Sequence, residues 1–199
     1  MTAKAEIRDG FKFRGGSPAL DLAATVVGRL GAAPRDLLAT PADLDRWLVA
    51  AELAEAPPGS TEGNLVQARS LREALYRLAL SRAEGAVLPD ADRDLLNGYA
   101  ALPAAPLQLD ADGRARLSGD VRGLLAELAR EGVSLLGGDF SHRIRQCEGP
   151  PCAVLFVDTS RKGDRRWCSM SACGNKAKVA GYRKRASSSA HPDESRDPS

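Results

Sequence analysis

Residues 147–176 read CEGPPCAVLFVDTSRKGDRRWCSMSACGNK and hold all four cysteines of a 199-residue chain: Cys147, Cys152, Cys168 and Cys173. The order is C-x4-C, fifteen intervening residues, then a second C-x4-C. Paired cysteines at such spacing close a tetrahedral four-thiolate zinc site, here with loops wider than the usual two-residue knuckles. The competing reading, four unrelated buried or redox cysteines, fits their confinement to one short segment poorly, and a disulfide scaffold more often spreads its cysteines. Four thiolates leave no open coordination position. The expected metal is therefore one structural Zn2+ that folds the segment and takes no part in catalysis.

Around these ligands, Glu148 to Pro151 form a tight Gly/Pro turn, Ala153 to Asp158 a short apolar strand, Arg161 to Asp164 a turn, and Arg165 to Cys168 the returning strand. Cys173 falls in or just before the first turn of a basic helix reaching about Arg185, and a helix N-terminus favours thiolate charge. A knuckle, a hairpin and a helix sharing one zinc resemble a treble-clef finger. Charge follows the same division. Residues 143–185 carry eleven basic and three acidic side chains, a net +8, whereas the rest carries seventeen basic and twenty-three acidic, a net −6, which together give the chain's +2. Zinc with four thiolates contributes −2, so the module stays at about +6 and suits a polyanion.

Upstream, the pattern is helical. Residues 1–12 read as a loose arm, Ser17-Pro18 supplies an N-cap and a first-turn proline, and Leu20, Ala23, Ala24, Val27 and Leu30 keep helical spacing until Gly31. A second helix is expected from Thr40-Pro41, with Leu44, Trp47, Leu48 and Ala51 on one face. A third runs from about Asn64 to Ala83, with Leu65, Ala68, Leu71, Leu75 and Leu78 opposite Arg69, Arg72 and Glu73. A shorter helix follows Pro89-Asp90, then an Asp-Gly hairpin over 107–117, then a helix capped by Ser118 and ending at Gly137-Gly138. The expected fold class is mainly α with small β-hairpins: a helical N-terminal domain over 1–140, the treble-clef-like four-cysteine zinc finger over 141–186, and a disordered tail over 187–199. A charged N-terminus without an apolar core segment, and no apolar stretch near the ~20 residues that span a bilayer, point to a cytoplasmic protein with no membrane partner.

Cys147-x4-Cys152, Leu155-Phe156-Val157-Asp158-Thr159-Ser160-Arg161, Arg165-Arg166-Trp167-Cys168-Ser169-Met170 and Cys173-Gly174-Asn175-Lys176-Ala177-Lys178 together resemble the bacterial CGNR zinc finger. Gly16-Ser17-Pro18-Ala19-Leu20-Asp21-Leu22 resembles the opening of the helical ABATE domain that usually precedes that finger. Two positions depart from the pattern: Lys176 stands where the signature ends in Arg, and Ala24 where the ABATE opening commonly has Asn before the residue aligned with Thr25. The resemblance implies a bacterial transcription regulator, often described as stress-linked, with a DNA-binding finger.

The candidate nucleic-acid contacts are Arg165, Arg166, Asn175, Lys176, Lys178, Arg183, Lys184 and Arg185. Lys176, Arg183 and Lys184 share one helix face, leaving Val179 and Tyr182 to face the hairpin. Asn175 and Lys176 are of the types that read base edges, although Asn175 equally suits holding the turn beside the zinc through backbone groups. Arg165 and Arg166 occupy successive strand positions and point to opposite faces, so one of them is expected to meet phosphate. Trp167 reads as core.

The body shows no reaction chemistry: its His142, like His191 in the tail, sits in no nucleophile or metal motif, and no Gly-rich phosphate loop occurs. The chain is therefore read as not an enzyme. Asp21, on an apolar helix face, is either a ligand-pocket residue or a carboxylate paired with an arginine. These readings converge on a zinc-containing DNA-binding regulator whose helical domain senses a small-molecule effector or mediates assembly as a homodimer. The alternative is a zinc-stapled RNA- or protein-interaction adaptor without a DNA operator, and an enzyme built on the helical domain is weaker still.

Overall fold

A computed structural model describes residues 6–149 and 151–188, with side chains over 7–149 and 151–181. The described residues open with a hairpin of β1 (Glu6–Arg8) and β2 (Phe11–Phe13) where the sequence suggested a loose arm over 1–12, of which 1–5 lie outside the described residues. Its two-residue turn, Asp9-Gly10, has both φ values positive (46° and 80°), the geometry that matches strand twist in tight hairpins. Phe11 is buried, and the Phe13 ring stacks on Trp47 at 6.5 Å, so this hairpin is packed onto the body.

Helix α1 (Pro18–Ala23) is shorter than its apolar spacing suggested. The Thr25 hydroxyl donates to the Leu22 carbonyl at 2.7 Å, and the β-branched run after it favours an extended chain. Val26–Val27 (β3) accordingly pairs with Arg35–Asp36 (β4), and Leu30, expected on the helix stripe, is exposed.

The remaining body is α2 (Pro41–Ala50), α3 (Glu62–Glu84), α4 (Asp90–Ala100), the β5 (Leu107–Leu109) and β6 (Ala115–Leu117) hairpin, and α5 (Val121–Gly137). Helices α2 and α3 begin with reciprocal capping boxes, Thr40 with Asp43 and Thr61 with Asn64; α5 is capped by Asp120, whose carboxylate accepts from the Gly123 amide at 2.8 Å, in place of Ser118. Helix α3 is the axis. Leu71, Leu75 and Leu78 meet Leu124, Leu125 and Leu128 of α5, Leu96 of α4 and Leu20 of α1 in one buried cluster. Each such leucine contributes about 1.5–3 kcal/mol by leaving water.

Arg72 departs from the expected polar face of α3. It is buried, donates bidentately to Asp36 at 2.6 and 2.9 Å, and reaches Glu73 at 2.9 Å. Glu73 is also clasped by Arg29, which lies 4.1 Å over the Tyr76 ring. This charge network fastens the β3–β4 hairpin to α3, and its hydrogen bonds satisfy groups that burial alone would penalise.

After a 3-10 turn at Ser141–Arg143 come β7 (Ile144–Gln146), β8 (Leu155–Val157), a π-helical turn at Met170–Gly174 and α6 (Asn175–Ser188). Helix α6 thus runs through residues 187 and 188, which the sequence assigned to the tail; 189–199 lie outside the described residues. Among the described residues no helix is long and apolar enough to cross a membrane.

Candidate metal centre

The partner of strand β8 is β7, in the register Ile144 to Val157, Arg145 to Phe156 and Gln146 to Leu155, and the expected pairing with residues 165–168 does not form. The physical reason is apolar: Ile144, Leu155 and Val157 are buried in the main core, a burial that a hairpin folded only on itself lacks. Cys147 therefore leaves β7 directly into the knuckle. Its amide donates to the Val154 carbonyl at 2.9 Å, and the Cys152 amide donates back to Gly149 at 2.6 Å, closing the turn. The segment preceding Cys168 is fixed by Glu148, whose amide donates to the Arg166 carbonyl at 2.9 Å.

Cys173 arrives from the other side on the π-helical turn, capped by the Ser169 hydroxyl, which accepts from the Ala172 amide at 3.3 Å. Gly149 makes this approach possible. A Cβ there would lie 2.9 Å from the Cys173 Cβ, below any normal contact, so only glycine lets the knuckle close on the helix. The π-turn sits at the ligand itself, a frequent place for such turns.

The four Sγ atoms all lie within 4.8 Å of one another. Cys152 to Cys168 and Cys168 to Cys173 are each 3.8 Å. Zn–S bonds of about 2.3 Å in a regular tetrahedron set sulfurs about 3.8 Å apart, so the observed edges are those of a zinc site. Charge agrees with geometry. Hydrogen bonds from the Cys152 and Cys168 thiols hold Cys147 as a thiolate far below the usual thiol range, and donating those hydrogen bonds holds Cys152 and Cys168 protonated, well above that range. Sulfurs this close carry four negative charges together only around a divalent cation. Zinc supplies that charge and closes the fold, with every coordination position filled by protein.

Residues 16–139 match the ABATE family model, whose description reads "Putative stress-induced transcription regulator". The chain belongs to the ABATE family. Residues 143–186 match the CGNR zinc finger, and with the clustered sulfurs this makes the protein a zinc-binding member carrying one structural ion. No curated protein matches the chain.

Around the CGNR zinc several expected contact residues have other work. Arg165 donates to the carbonyls of Trp167 at 3.1 Å and Cys168 at 2.8 Å and lies 4.5 Å over the Phe156 ring, bracing the ligand loop. Arg166 pairs with Glu148 at 2.6 Å and covers Trp167. Asn175 donates to the Ser171 carbonyl at 3.2 Å, holding the turn beside Cys173. Lys176 and Lys178 are exposed on α6. The side chains of Arg183, Lys184 and Arg185, and of Tyr182, lie outside the described residues. Val179, expected against the hairpin, is half exposed.

Asp158 is a residue that the sequence reading passed over. It is fully buried and accepts from the amides of Ser160 at 2.9 Å and Arg165 at 2.8 Å, so one carboxylate ties off the whole 158–165 loop. The Asp-x-Ser pattern was its available signal. Arg143 supports the same loop by donating to the Ser160 carbonyl at 2.9 Å.

Asp21 lies on the buried face of α1 and accepts from the Gly15 amide at 2.7 Å, fixing the bend that leads into the ABATE core. Burial pushes its pKa from 3.8 to about 6, against the pull of the Gly15 and Arg14 amides. Its native pKa thus exceeds its unfolded one, so between about pH 4 and pH 6 the native state binds more protons and stability falls as pH rises. Asp21→Asn keeps an acceptor for the Gly15 amide and removes the buried charge. It should stabilise the chain by about 1–3 kcal/mol at neutral pH and flatten that decline. Urea unfolding at acid and neutral pH reads both effects, and a variant less stable at neutral pH refutes the argument.

Proposed function

We propose that this ABATE protein is a DNA-binding transcription regulator: the finger, over residues 141–186, contacts the duplex, and the helical domain, over 1–140, senses a ligand or mediates assembly. The tail assigned to 187–199 overlaps the end of α6 at 187 and 188, and 189–199 lie outside the described residues. The observation that carries the reading is the set of exposed finger cations, Arg161, Lys162, Lys176 and Lys178, whose side chains make no hydrogen bond or ion pair among the described residues. They stand on a module of net +8 attached to a body of net −6. Unpaired cations are the ones available to displace counterions from phosphate, whereas Arg165 and Arg166 are already engaged. The family description as a transcription regulator supports the same direction.

With three to five phosphates neutralised, log K for duplex binding should fall with log salt at a slope of roughly −3 to −5. Replacing Arg161, Lys162 and Lys178 by Ala should weaken binding to every sequence and make the slope shallower by about one unit per cation engaged. Arg183→Ala and Lys184→Ala extend the same test along α6. Fluorescence anisotropy with the full zinc-loaded chain measures all of these. Failure to bind duplex at low salt would reject the DNA reading in favour of an RNA or protein adaptor.

A further inference from the structure

Between the ABATE body and the finger lies a cavity of about 610 Å3, within the range that holds small organic ligands. Strand β2 and its extension contribute Lys12 and Arg14, β3 contributes Val26 and Val27, and the α1 end contributes Ala24. The finger closes the other side with Pro151, Ala153 and Val154 from the knuckle and with Lys176, Ala177 and Ala180 from α6. Among the described residues no Asp or Glu lines it.

Apart from the zinc ligands, its charged side chains among the described residues are all cationic. The Arg14 Nε is buried with no hydrogen-bond partner among the described residues, which is costly for a cationic donor. Lys12 and Lys176 make no hydrogen bond or ion pair among the described residues. The three cations supply +3 to the walls, and the zinc centre, reaching the cavity through Cys152 and Cys173, supplies −2. The balance of about +1 favours an anionic ligand. The guanidinium fork of Arg14 suits a planar carboxylate, and the valine, proline and alanine walls suit an apolar body.

We propose that this cavity is the effector site of the protein and takes a carboxylic acid with an aliphatic or aromatic body, its carboxylate on Arg14 and its apolar part between β3 and the finger. This assignment rests on the ligand response proposed above and names its chemistry. Because Lys176 and α6 form one wall, an occupied cavity holds the finger helix against the body.

Titration calorimetry on the full zinc-loaded chain tests it, with decanoate and naphthalene-1-carboxylate as probes and 1-naphthalenemethanol and 1-naphthylmethylammonium as the neutral and cationic controls. The carboxylates should saturate one site per chain, the alcohol should bind about ten- to a hundredfold more weakly, and the ammonium should not bind. Arg14→Gln should bring carboxylate affinity down to that of the alcohol and leave the alcohol unchanged. Val26→Trp should remove both by filling the cavity, and Ala177→Phe serves where that variant loses zinc or cooperative melting. Absence of binding by both carboxylates, equal affinity for the three naphthyl probes, or an Arg14→Gln variant of unchanged selectivity would overturn the assignment. Duplex affinity is measured separately without any carboxylate. A chain that binds duplex but no carboxylate overturns the cavity assignment alone, and one that binds carboxylate but no duplex overturns the regulator reading alone.

Discussion

Cys173→Ser should leave the purified protein with close to no zinc and with the 147–152 knuckle and the segment from residue 160 to the start of α6 unfolded, while β8 stays in the main core. The hydrophobic cluster that belongs to the finger alone is small: Phe156 is its one large fully buried side chain, with Val154 and Trp167 only partly covered. The rest of its interior is sulfur. Structural zinc supplies about 10–16 kcal/mol in modules of this kind, as much as the entire stability of an ordinary domain, about 5–15 kcal/mol. Serine offers an alkoxide-poor, harder oxygen in place of a thiolate, and the three sulfurs left behind repel once ionised. Metal analysis should give a ratio near zero, and near-ultraviolet dichroism should lose the part contributed by Trp167. Helical dichroism of α3 and α5 should persist at low temperature. A serine variant that holds one zinc per chain and melts like the parent would end the claim that the ion folds the finger.

Ending the chain at residue 140 should destabilise what remains by about 5–9 kcal/mol, from three large apolar side chains at about 1.5–3 kcal/mol each. The side chains are Ile144, Leu155 and Val157, and they are continuous with the cluster formed by α1, α3 and α5. Polar links go with them: the Val157 amide donates to the Gly15 carbonyl at 2.9 Å, and Gln146 donates to the Tyr76 hydroxyl at 3.2 Å. The composition break near 137–146 suggests a body that folds without the finger, whereas the packing argues for one folding unit. A 1–160 fragment, which keeps β7 and β8, should recover part of the loss. Thermal melts of 1–140, 1–160 and the full chain decide between them. Cooperative melting of 1–140 within a few degrees of the full chain would favour the composition reading.

The ligand set was legible because a zinc site is written locally: four cysteines within 27 residues leave few other arrangements. Helices α2 to α5 were legible for a related reason, since their apolar stripes lie within the elements they define. What escaped depends on distant partners. Arg72 looks like a surface residue until Asp36, 36 positions earlier, is brought beside it. Strand β8 reads as one arm of a hairpin with whatever follows, and only the apolar demand of the main core selects β7 instead. Strands of two or three residues, such as β1, β3 and β4, are too short for alternation to register. At the site, Arg165 and Arg166 look available to phosphate in sequence, and their engagement with Cys168 and Glu148 follows from the closed zinc loop.

The pairing of β7 with β8 also bears on how such a module travels between genes. A finger whose inner strands carry Ile144, Leu155 and Val157 is not a portable cassette, because a graft onto a foreign host exposes three apolar side chains at once. A working chimera must bring along a matching socket, the Gly15 carbonyl and the α1 and α3 faces included, or replace those three positions with polar residues. Recombination is therefore tolerated most readily when it keeps the body and its finger together.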